Sequence, residues 1–189
     1  RNRIKSTQGT QQITKAMKMV SAAKLRRAQD AITQMRPYAN KLQDMLSNIV
    51  GSLEGDINLA LAETRPVNNV LLIVITSDRG LCGGFNTNLI TKAEKFINSE
   101  LDGKDASLVC FGKKGRDWAK KQPQPIDAEF IGVVGGNFEF SVASSSGQTL
   151  IDSFLEGAVD EVYLIYSLFE NMAKQIPTCH SRCKICCVA

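Results

Sequence analysis

Long apolar runs, histidine and aromatic residues are all scarce in this chain of 189 residues. The longest unbroken apolar run, residues 70–75, has six residues and falls far short of the roughly 20 that cross a bilayer. The only histidine, His180, lies among cysteines, and no serine or cysteine elsewhere has a base that the sequence makes evident. The sequence therefore indicates neither a membrane-spanning protein nor a histidine-dependent hydrolase.

Acidic residues are almost missing from the first fifty positions, which hold ten Lys and Arg against two Asp, a net charge of +8. The rest of the chain holds 13 basic and 17 acidic side chains, a net charge of −4. This asymmetry favours an acidic partner for the basic arm, which could be nucleic acid, a lipid surface or an acidic protein. A solvated helix face remains the alternative.

Glycine is missing between residues 11 and 50, and helix formers dominate there, so we predict one long helix over 11–53. Ser6, Thr7 and Thr10 offer caps at its entrance, and Pro37 should bend the helix or remove one hydrogen bond. Apolar residues recur at spacings of three and four in its second half, which predicts a coiled-coil seam. The seam residues are Leu25, Ala28, Ile32, Met35, Ala39, Leu42, Leu46, Ile49 and Leu53.

Strand and helix patterns alternate after the arm, which predicts a layered α/β domain with a mainly parallel sheet. We predict strands at 70–75, 106–111, 130–134 and 162–166, and helices at 87–99, 115–121 and 147–156. The domain order is then a basic coiled-coil helix (1–56), a linker (57–69), the α/β domain (70–178) and a cysteine-rich tail (179–189).

The segment SDRGLCGGFN, residues 77–86, follows a buried strand and opens a helix, which is where phosphates bind in α/β folds. It contains neither G-x-G-x-x-G nor Gly-Lys-Ser/Thr, so a structural or partner-contact loop is favoured over a nucleotide site. Asp78 and Arg79 could pair or cap the turn, while Gly83 and Gly84 allow a tight backbone path. Cys82 beside a helix N-terminus is the best enzyme hypothesis that the sequence offers.

The six cysteines form no disulfide framework, because the first 178 residues contain only Cys82 and Cys110. This pattern favours a reducing compartment. The tail adds Cys179, His180 and a C-x-x-C pair, a weak zinc signal, and a flexible or reactive terminus is the alternative.

The basic arm lacks the features of two of its three candidate partners. Nucleic-acid binding would favour aromatic residues, but Tyr38 is the only one among residues 1–50. A membrane-surface helix would need bulky apolar anchors, whereas residues 16–23 are rich in Ala and Met. Small residues instead favour close passage of the helix through a protein sleeve.

Three stretches have specific wording: residues 13–29 read ITKAMKMVSAAKLRRAQ, residues 36–39 read RPYA, and residues 77–86 read SDRGLCGGFN. In these stretches, and in its order of long helix and α/β domain, the chain resembles the γ subunit of the F-type ATP synthase, most closely in bacterial form. The resemblance covers residues 1–178. A family member should continue from there into a second long helix, so we expect residues 179–189 to be unrelated sequence, from truncation or a shifted reading frame.

The resemblance implies a central-stalk rotor without a catalytic site, cofactor or metal of its own. In that family the helix pairs with a C-terminal helix inside a ring of α and β subunits, and the α/β domain lies against the ε subunit and the c ring. Proton flow turns this shaft, and ATP chemistry takes place on α and β. The implied location is peripheral, on the cytoplasmic face of a bacterial inner membrane, or on the matrix or stromal side of an organelle membrane.

The resemblance also implies partner-contact residues, and nucleic acid is not among the expected partners. A helical binding arm for an acidic partner, or a fragment without rotor activity, are the alternatives. The implied contacts are Met17, Lys18, Lys24, Arg26, Arg27, Asp78, Arg79, Gly80, Cys82, Gly83, Gly84 and Asn86.

Overall fold

A computed structural model describes residues 1–52, 65–133, 140–171 and 174–181. The chain divides near residue 54 into two compact units, one helical and one α/β. Within the described residues, no helix combines the length and the apolar character needed to cross a membrane. The seam residue Leu53 lies outside the described residues, and so does most of the predicted linker, 57–69, of which only residues 65–69 are described.

The first unit is a single α-helix, α1 (Asn2–Ser52), which at 1.5 Å per residue is about 75 Å long. It begins nine residues earlier than predicted, and the proposed caps are therefore wrong. Thr7 and Thr10 lie inside the helix and donate their hydroxyls to the carbonyls four residues before them, at 2.9 Å and 3.1 Å. Pro37 lies inside the helix as well, where it removes one backbone N–H donor.

The second unit is built on a five-stranded sheet with the strand order β3-β2-β1-β4-β5. Three neighbouring pairs are parallel, and β5 joins β4 antiparallel. The strands are β1 (Asn69–Ile75), β2 (Asp105–Phe111), β3 (Ile126–Phe130), β4 (Glu161–Phe169) and β5 (Gln175–Ser181). The helices are α2 (Phe85–Glu100), α3 (Lys113–Ala119) and α4 (Phe140–Leu155).

The two faces of the sheet bury separate sets of alternating strand residues. Leu72 and Val74 of β1 join one cluster, which α2 and α3 cover through residues such as Leu89 and Trp118. Leu71 and Ile73, on the other face of β1, join a second cluster, against which Leu150 of α4 packs. β1 is buried on both faces, as its continuous apolar run predicted.

Two predicted features of the sheet are wrong. The third strand is Ile126–Phe130 rather than 130–134, because it is an edge strand that alternates apolar and acidic residues. β5 was not predicted, and the boundary placed after Thr178 cuts through it. Cys179 and His180 therefore belong to the sheet rather than to a separate tail.

The chain changes direction at β1, since β2 and β3 follow on one side of it and β4 lies on the other. The gap between β1 and β4 at the carboxyl ends of the strands is the topological switch point of such a sheet. The segment that leaves β1 there carries the predicted loop residues.

Candidate partner-contact site

The β1–α2 loop, residues 76–84, connects the end of β1 to the start of α2. Gly84 is the N-cap position of α2 and supplies no side-chain cap. Gly83 has φ +59°, a conformation that glycine adopts without steric cost. The tight backbone path predicted here is therefore confirmed at Gly83, while Gly84 has an ordinary negative φ of −80°.

Asn86, in the first turn of α2, is buried and forms hydrogen bonds with several residues of the loop. Its Oδ1 accepts the backbone N–H of Ser77 at 3.1 Å. Its Nδ2 donates to Ser77 Oγ at 2.9 Å and to Cys82 Sγ at 3.1 Å. Ser77 Oγ in turn donates to the carbonyl of Arg79 at 2.6 Å. These bonds join both ends of the loop to one side chain.

Asp78 links this loop to two others. Its Oδ1 accepts the backbone N–H of Lys113, at the start of α3, at 2.9 Å and that of Gly132, after β3, at 3.1 Å. The sequence interpretation, in which Asp78 pairs with Arg79 or caps its own turn, missed both partners. A carboxylate that accepts two backbone amides makes charge-assisted hydrogen bonds, which are stronger than neutral ones. Asp78 therefore fastens three loops at the carboxyl edge of the sheet.

The end of β2 also lies close under this loop. Thr76 Oγ1 accepts the backbone N–H of Gly115 at 2.7 Å, and the N–H of Thr76 donates to Phe111 at 2.8 Å. Gly112 has φ +93°, and a Cβ on it would lie 2.3 Å from the carbonyl oxygen of Thr76. The backbone at the start of the loop therefore approaches Gly112 so closely that position 112 has no room for a side chain.

Basic residues surround the loop. Arg79 is exposed, and the side chain of Lys114 lies beside Gly80, where an added Cβ would be 3.7 Å from its Cε. In α3, Arg116 pairs with Asp117 at 2.8 Å, and that hydrogen bond, with help from nearby lysines, lowers the pKa of Asp117. Lys113 is exposed next to this pair.

The predicted contacts on α1 are all exposed. Met17 has 65% of its surface accessible, and Lys18, Lys24, Arg26 and Arg27 are exposed as well. At about 100° per residue, Arg27 lies about 180° from Lys18, with Arg26 between them. Lys24 lies about 120° from Lys18 in the other direction. The positive charges therefore surround the helix instead of forming one face.

The predicted seam is also largely exposed. Leu25 and Ile32 are 39% and 40% accessible and Met35 is 68% accessible, whereas Leu42 and Leu46 are partly buried. Ala28, Ala39 and Ile49 are exposed too. Pairing of this stripe with a second helix stays a prediction.

The cysteines give little support to thiol chemistry. The polar groups around Cys82 Sγ are Asn86 Nδ2, the Arg79 carbonyl at 3.9 Å and Ser77 Oγ at 4.0 Å, none of which is a general base. Among the described residues, no group of three or more His, Cys, Asp and Glu could hold a metal ion. Cys179 packs against one face of the sheet, while His180 stacks on Tyr166 of the other, so one ion could not bind both. The other tail cysteines lie outside the described residues.

Leu81 is one of the residues of this loop that the sequence interpretation omitted from the contact set. It is fully exposed and has φ +59°. Its one sequence signal is that a large apolar residue stands in a short polar and glycine-rich loop, where no strand or helix face can bury it. Lys113 and Gly132 were also missed, because their contacts with Asp78 join distant parts of the chain. Ser77 was missed too, although its partners Arg79, Cys82 and Asn86 lie within nine residues of it.

Comparisons with known proteins agree across both units. A model of the protein family described as ATP synthase matches residues 1–185, which extends beyond the limit of 178 expected from the sequence. The chain is 53% identical over 175 residues to the ATP synthase gamma chain of Desulforapulum autotrophicum, with 93% of this chain and 59% of that one covered. It is 44% identical over 178 residues to the ATP synthase gamma chain of Heliobacterium modesticaldum, with coverages of 94% and 59%.

Among solved structures, the chain is similar to one in the central stalk and c ring of the mitochondrial ATP synthase of Tetrahymena thermophila. The TM-score is 0.68 at 25% identity, with 91% of this chain and 72% of that chain covered. The chain spans about three fifths of the length of the curated relatives it matches.

Proposed function

Because the chain belongs to the ATP synthase gamma-chain family, we propose that it acts as a non-catalytic rotor segment of an F-type ATP synthase. In this proposal α1 is the shaft inside the ring of α and β subunits, and the α/β unit is the foot that contacts the ε subunit and the c ring. The observation that carries the proposal is the family match over residues 1–185, since it includes both units in one order.

The charge distribution on α1 supports a partner that surrounds the helix. Lys18 and Arg27 lie on opposite sides, so one flat acidic surface could not contact both, whereas a ring of subunits could. Such contacts must break and form again as a shaft turns. Exposed ion pairs worth about 0–1 kcal/mol each suit that requirement better than one tight buried pair.

The arrangement of the β1–α2 loop supports a contact that bears load. Asp78 and Asn86 fix the loop to α3, to the turn after β3 and to α2, so a force on its tip passes into the sheet. We assign Arg79, Gly80, Cys82 and the flanking Gly83 and Gly84 to this contact surface. The loop also supplies no base to Cys82, which favours a contact role over catalysis.

The location follows from the assembly. As a peripheral subunit the chain would reach the membrane only through the complex, at the cytoplasmic face of a bacterial inner membrane. The curated relatives of Desulforapulum and Heliobacterium are bacterial proteins at 53% and 44% identity, whereas the mitochondrial chain of Tetrahymena is 25% identical, which favours this side over an organelle.

The test is co-purification of the full chain with ATP synthase α and β subunits, followed by an ATPase assay with and without the chain. We expect a stable complex at low salt and a change in ATP hydrolysis when the chain is added. Reversing two charges, Lys24→Glu and Arg27→Glu, should weaken the complex about tenfold, because each exposed pair is worth up to about 1 kcal/mol.

Lys41→Glu with Arg36→Glu is the matched control, since it makes the same charge change on the same helix outside the 17–27 segment. It should bind as the unchanged chain does. Equal weakening by both pairs would mean that only total charge matters. Absence of a complex, with tight and steeply salt-dependent DNA binding instead, would favour the helical-arm alternative.

A further inference from the structure

Residues 65–69 lead into β1 at the edge of the sheet opposite the β1–α2 loop. The parallel strands β1, β2 and β4 all begin at this edge. Residues 53–64, which lie outside the described residues, are the covalent connection between α1 and this segment. Tension that passes along the chain from α1 therefore enters the described part of the α/β unit at residue 65.

Asp160, the residue before β4, binds two consecutive backbone amides of this segment. Its Oδ2 accepts the N–H of Asn68 at 3.0 Å and that of Asn69 at 2.8 Å, and such charge-assisted bonds are stronger than neutral ones. The N–H of Asp160 donates back to the carbonyl of Asn69 at 2.9 Å. The carbonyl of Asn68 accepts the N–H of Asp105, the first residue of β2, at 3.0 Å. The segment is thus joined to the start of both strands that flank β1.

Arg65 joins the same segment to α4. Its guanidinium carbon lies 4.5 Å from the centre of the ring of Phe154, which is buried, so the two side chains form a cation–π contact. The two backbone amides are the main cause of the lowered pKa of Asp160, and the charge of Arg65 contributes to that shift. Val67, between these contacts, packs against the first hydrophobic cluster of the sheet. Five consecutive residues are therefore held by α4, by the sheet and by the starts of β2 and β4.

We propose that residues 65–69, with Asp105, Phe154 and Asp160, form a load-bearing clasp, which spreads tension from the chain that joins α1 over α4, β2 and β4 instead of β1 alone. Each of these contacts is weak by itself, but contacts that are loaded together must break together. A shaft and a foot that are joined by one covalent connection need such a fastening. The clasp goes beyond the proposed function, and it involves no partner subunit.

The experiment holds the full chain at constant force in magnetic tweezers and measures the lifetime of the folded α/β unit, since forced unfolding reports the unfolding rate. One handle is attached at Gln175, exposed at the start of β5. The other is attached either at the amino terminus, so that the load passes through the clasp, or at Asp102, exposed between α2 and β2, so that it does not. Asp160→Ala should shorten the lifetime about tenfold in the first direction and by less than about twofold in the second, because it removes the acceptor of two charge-assisted bonds.

Asp152→Ala is the matched control, since the exposed carboxylate of Asp152 on α4 accepts one bond, from Gln148, and should leave both lifetimes within about twofold. Arg65→Gln is a second variant, which should shorten the lifetime about threefold in the first direction only, through loss of the cation–π contact. Equal shortening in both directions would mean that these residues merely stabilise the fold, and unchanged lifetimes in the first direction would overturn the clasp as well. Neither result bears on the proposed function, which co-purification with α and β subunits tests separately.

Discussion

The close backbone approach of Gly112, after β2, to Thr76, after β1, provides the sharpest test of the geometry beneath the β1–α2 loop. Replacing Gly112 by alanine would place a Cβ 2.3 Å from the carbonyl oxygen of Thr76 and 2.9 Å from its Oγ1. Real Cβ atoms do not approach this closely, and the obstacle is backbone, so it cannot move aside as a flexible side chain would. The φ of +93° at Gly112 adds a conformational cost.

The expected loss combines these two contributions. With φ +93° and ψ +145°, Gly112 lies in a backbone region that is essentially restricted to glycine and costs another residue of order 1–3 kcal/mol. Overpacking typically costs a further 1–3 kcal/mol, and an obstacle formed by backbone belongs at the upper end of that range. Gly112→Ala should therefore lower the free energy of unfolding by about 3–6 kcal/mol, a large part of the stability of an ordinary domain.

Urea unfolding followed by Trp118 fluorescence measures this loss in the α/β unit alone. Trp118 is the only tryptophan, it is buried beneath α2, and its Nε1 donates to Glu94 at 2.9 Å. Gly103→Ala is the matched control, because Gly103 has φ +76° with open space around it and so carries the conformational cost alone. Equal losses for the two variants would refute the close crossing at Thr76.

Three further outcomes are expected from other parts of the chain. The backbone amide of Asn69 is the main cause of the lowered pKa of Asp160, so Asp160→Asn should reduce the free energy of unfolding by about 1 kcal/mol or less at pH 7. The difference in unfolding free energy between the two proteins should shrink as the pH falls below 3.8 and through the lowered pKa, because Asp160 is then protonated in both the folded and the unfolded state. A difference that stays constant with pH in urea titrations would contradict this explanation. Burial raises the pKa of Cys110 from 9.0 to about 11, which lowers the fraction of its thiol present as thiolate about 100-fold. Mass spectrometry should therefore find Cys110 alkylated far more slowly than the exposed Cys82, and equal rates would disprove the burial of Cys110. Pro37→Ala should raise the helical circular dichroism signal and the stability of α1 by up to about 3 kcal/mol, and a fall in that signal would contradict a helix that is continuous through this position.

The strands that the sequence predicted correctly are those buried on both faces. β1 and β2 begin only one residue before their predicted positions. They were predicted well because a continuous apolar run is a strong signal wherever helices cover both sides of a sheet. The edge strand β3 gives a weaker signal: Asp127 and Glu129 interrupt its apolar residues, so the pattern favours the more apolar stretch that follows. Local hydrophobicity therefore located the centre of the sheet better than its margin.

β5 was missed for a related reason. It reads QIPTCHS, and Pro177 has no N–H to donate to a neighbouring strand, so proline is rare in strands that have a neighbour on each side. An edge strand tolerates such a residue because one of its sides has no ladder to complete. Cys179 and His180 were then interpreted with the cysteines that follow, although their neighbours across the sheet are Ile165 and Leu164 of β4.

The candidate loop was located from its sequence, but the contacts that stabilise it were not. Asp78 bonds to Lys113 and Gly132, which lie 35 and 54 residues further along the chain, and no local pattern encodes such distances. What determines them is the sheet order, which brings the ends of β1, β2 and β3 side by side. The same limit explains the omission of Leu81, since its exposure and strained φ depend on how firmly both flanks are held.

The proposed rotor needs two kinds of contact, and the two units differ in the way that this requires. A contact that slips during rotation must be weak and repeated, which fits Lys18, Lys24 and Arg27 as single exposed charges on separate sides of α1. A contact that delivers torque must not yield before its partner does. The β1–α2 loop meets this condition because Asp78 joins it to the start of α3 and to the turn after β3, and Asn86 joins it to α2, through hydrogen bonds of 2.9 to 3.1 Å. A load on its tip is therefore shared by three loops and a helix. Weakening these bonds should therefore impair torque before it impairs binding.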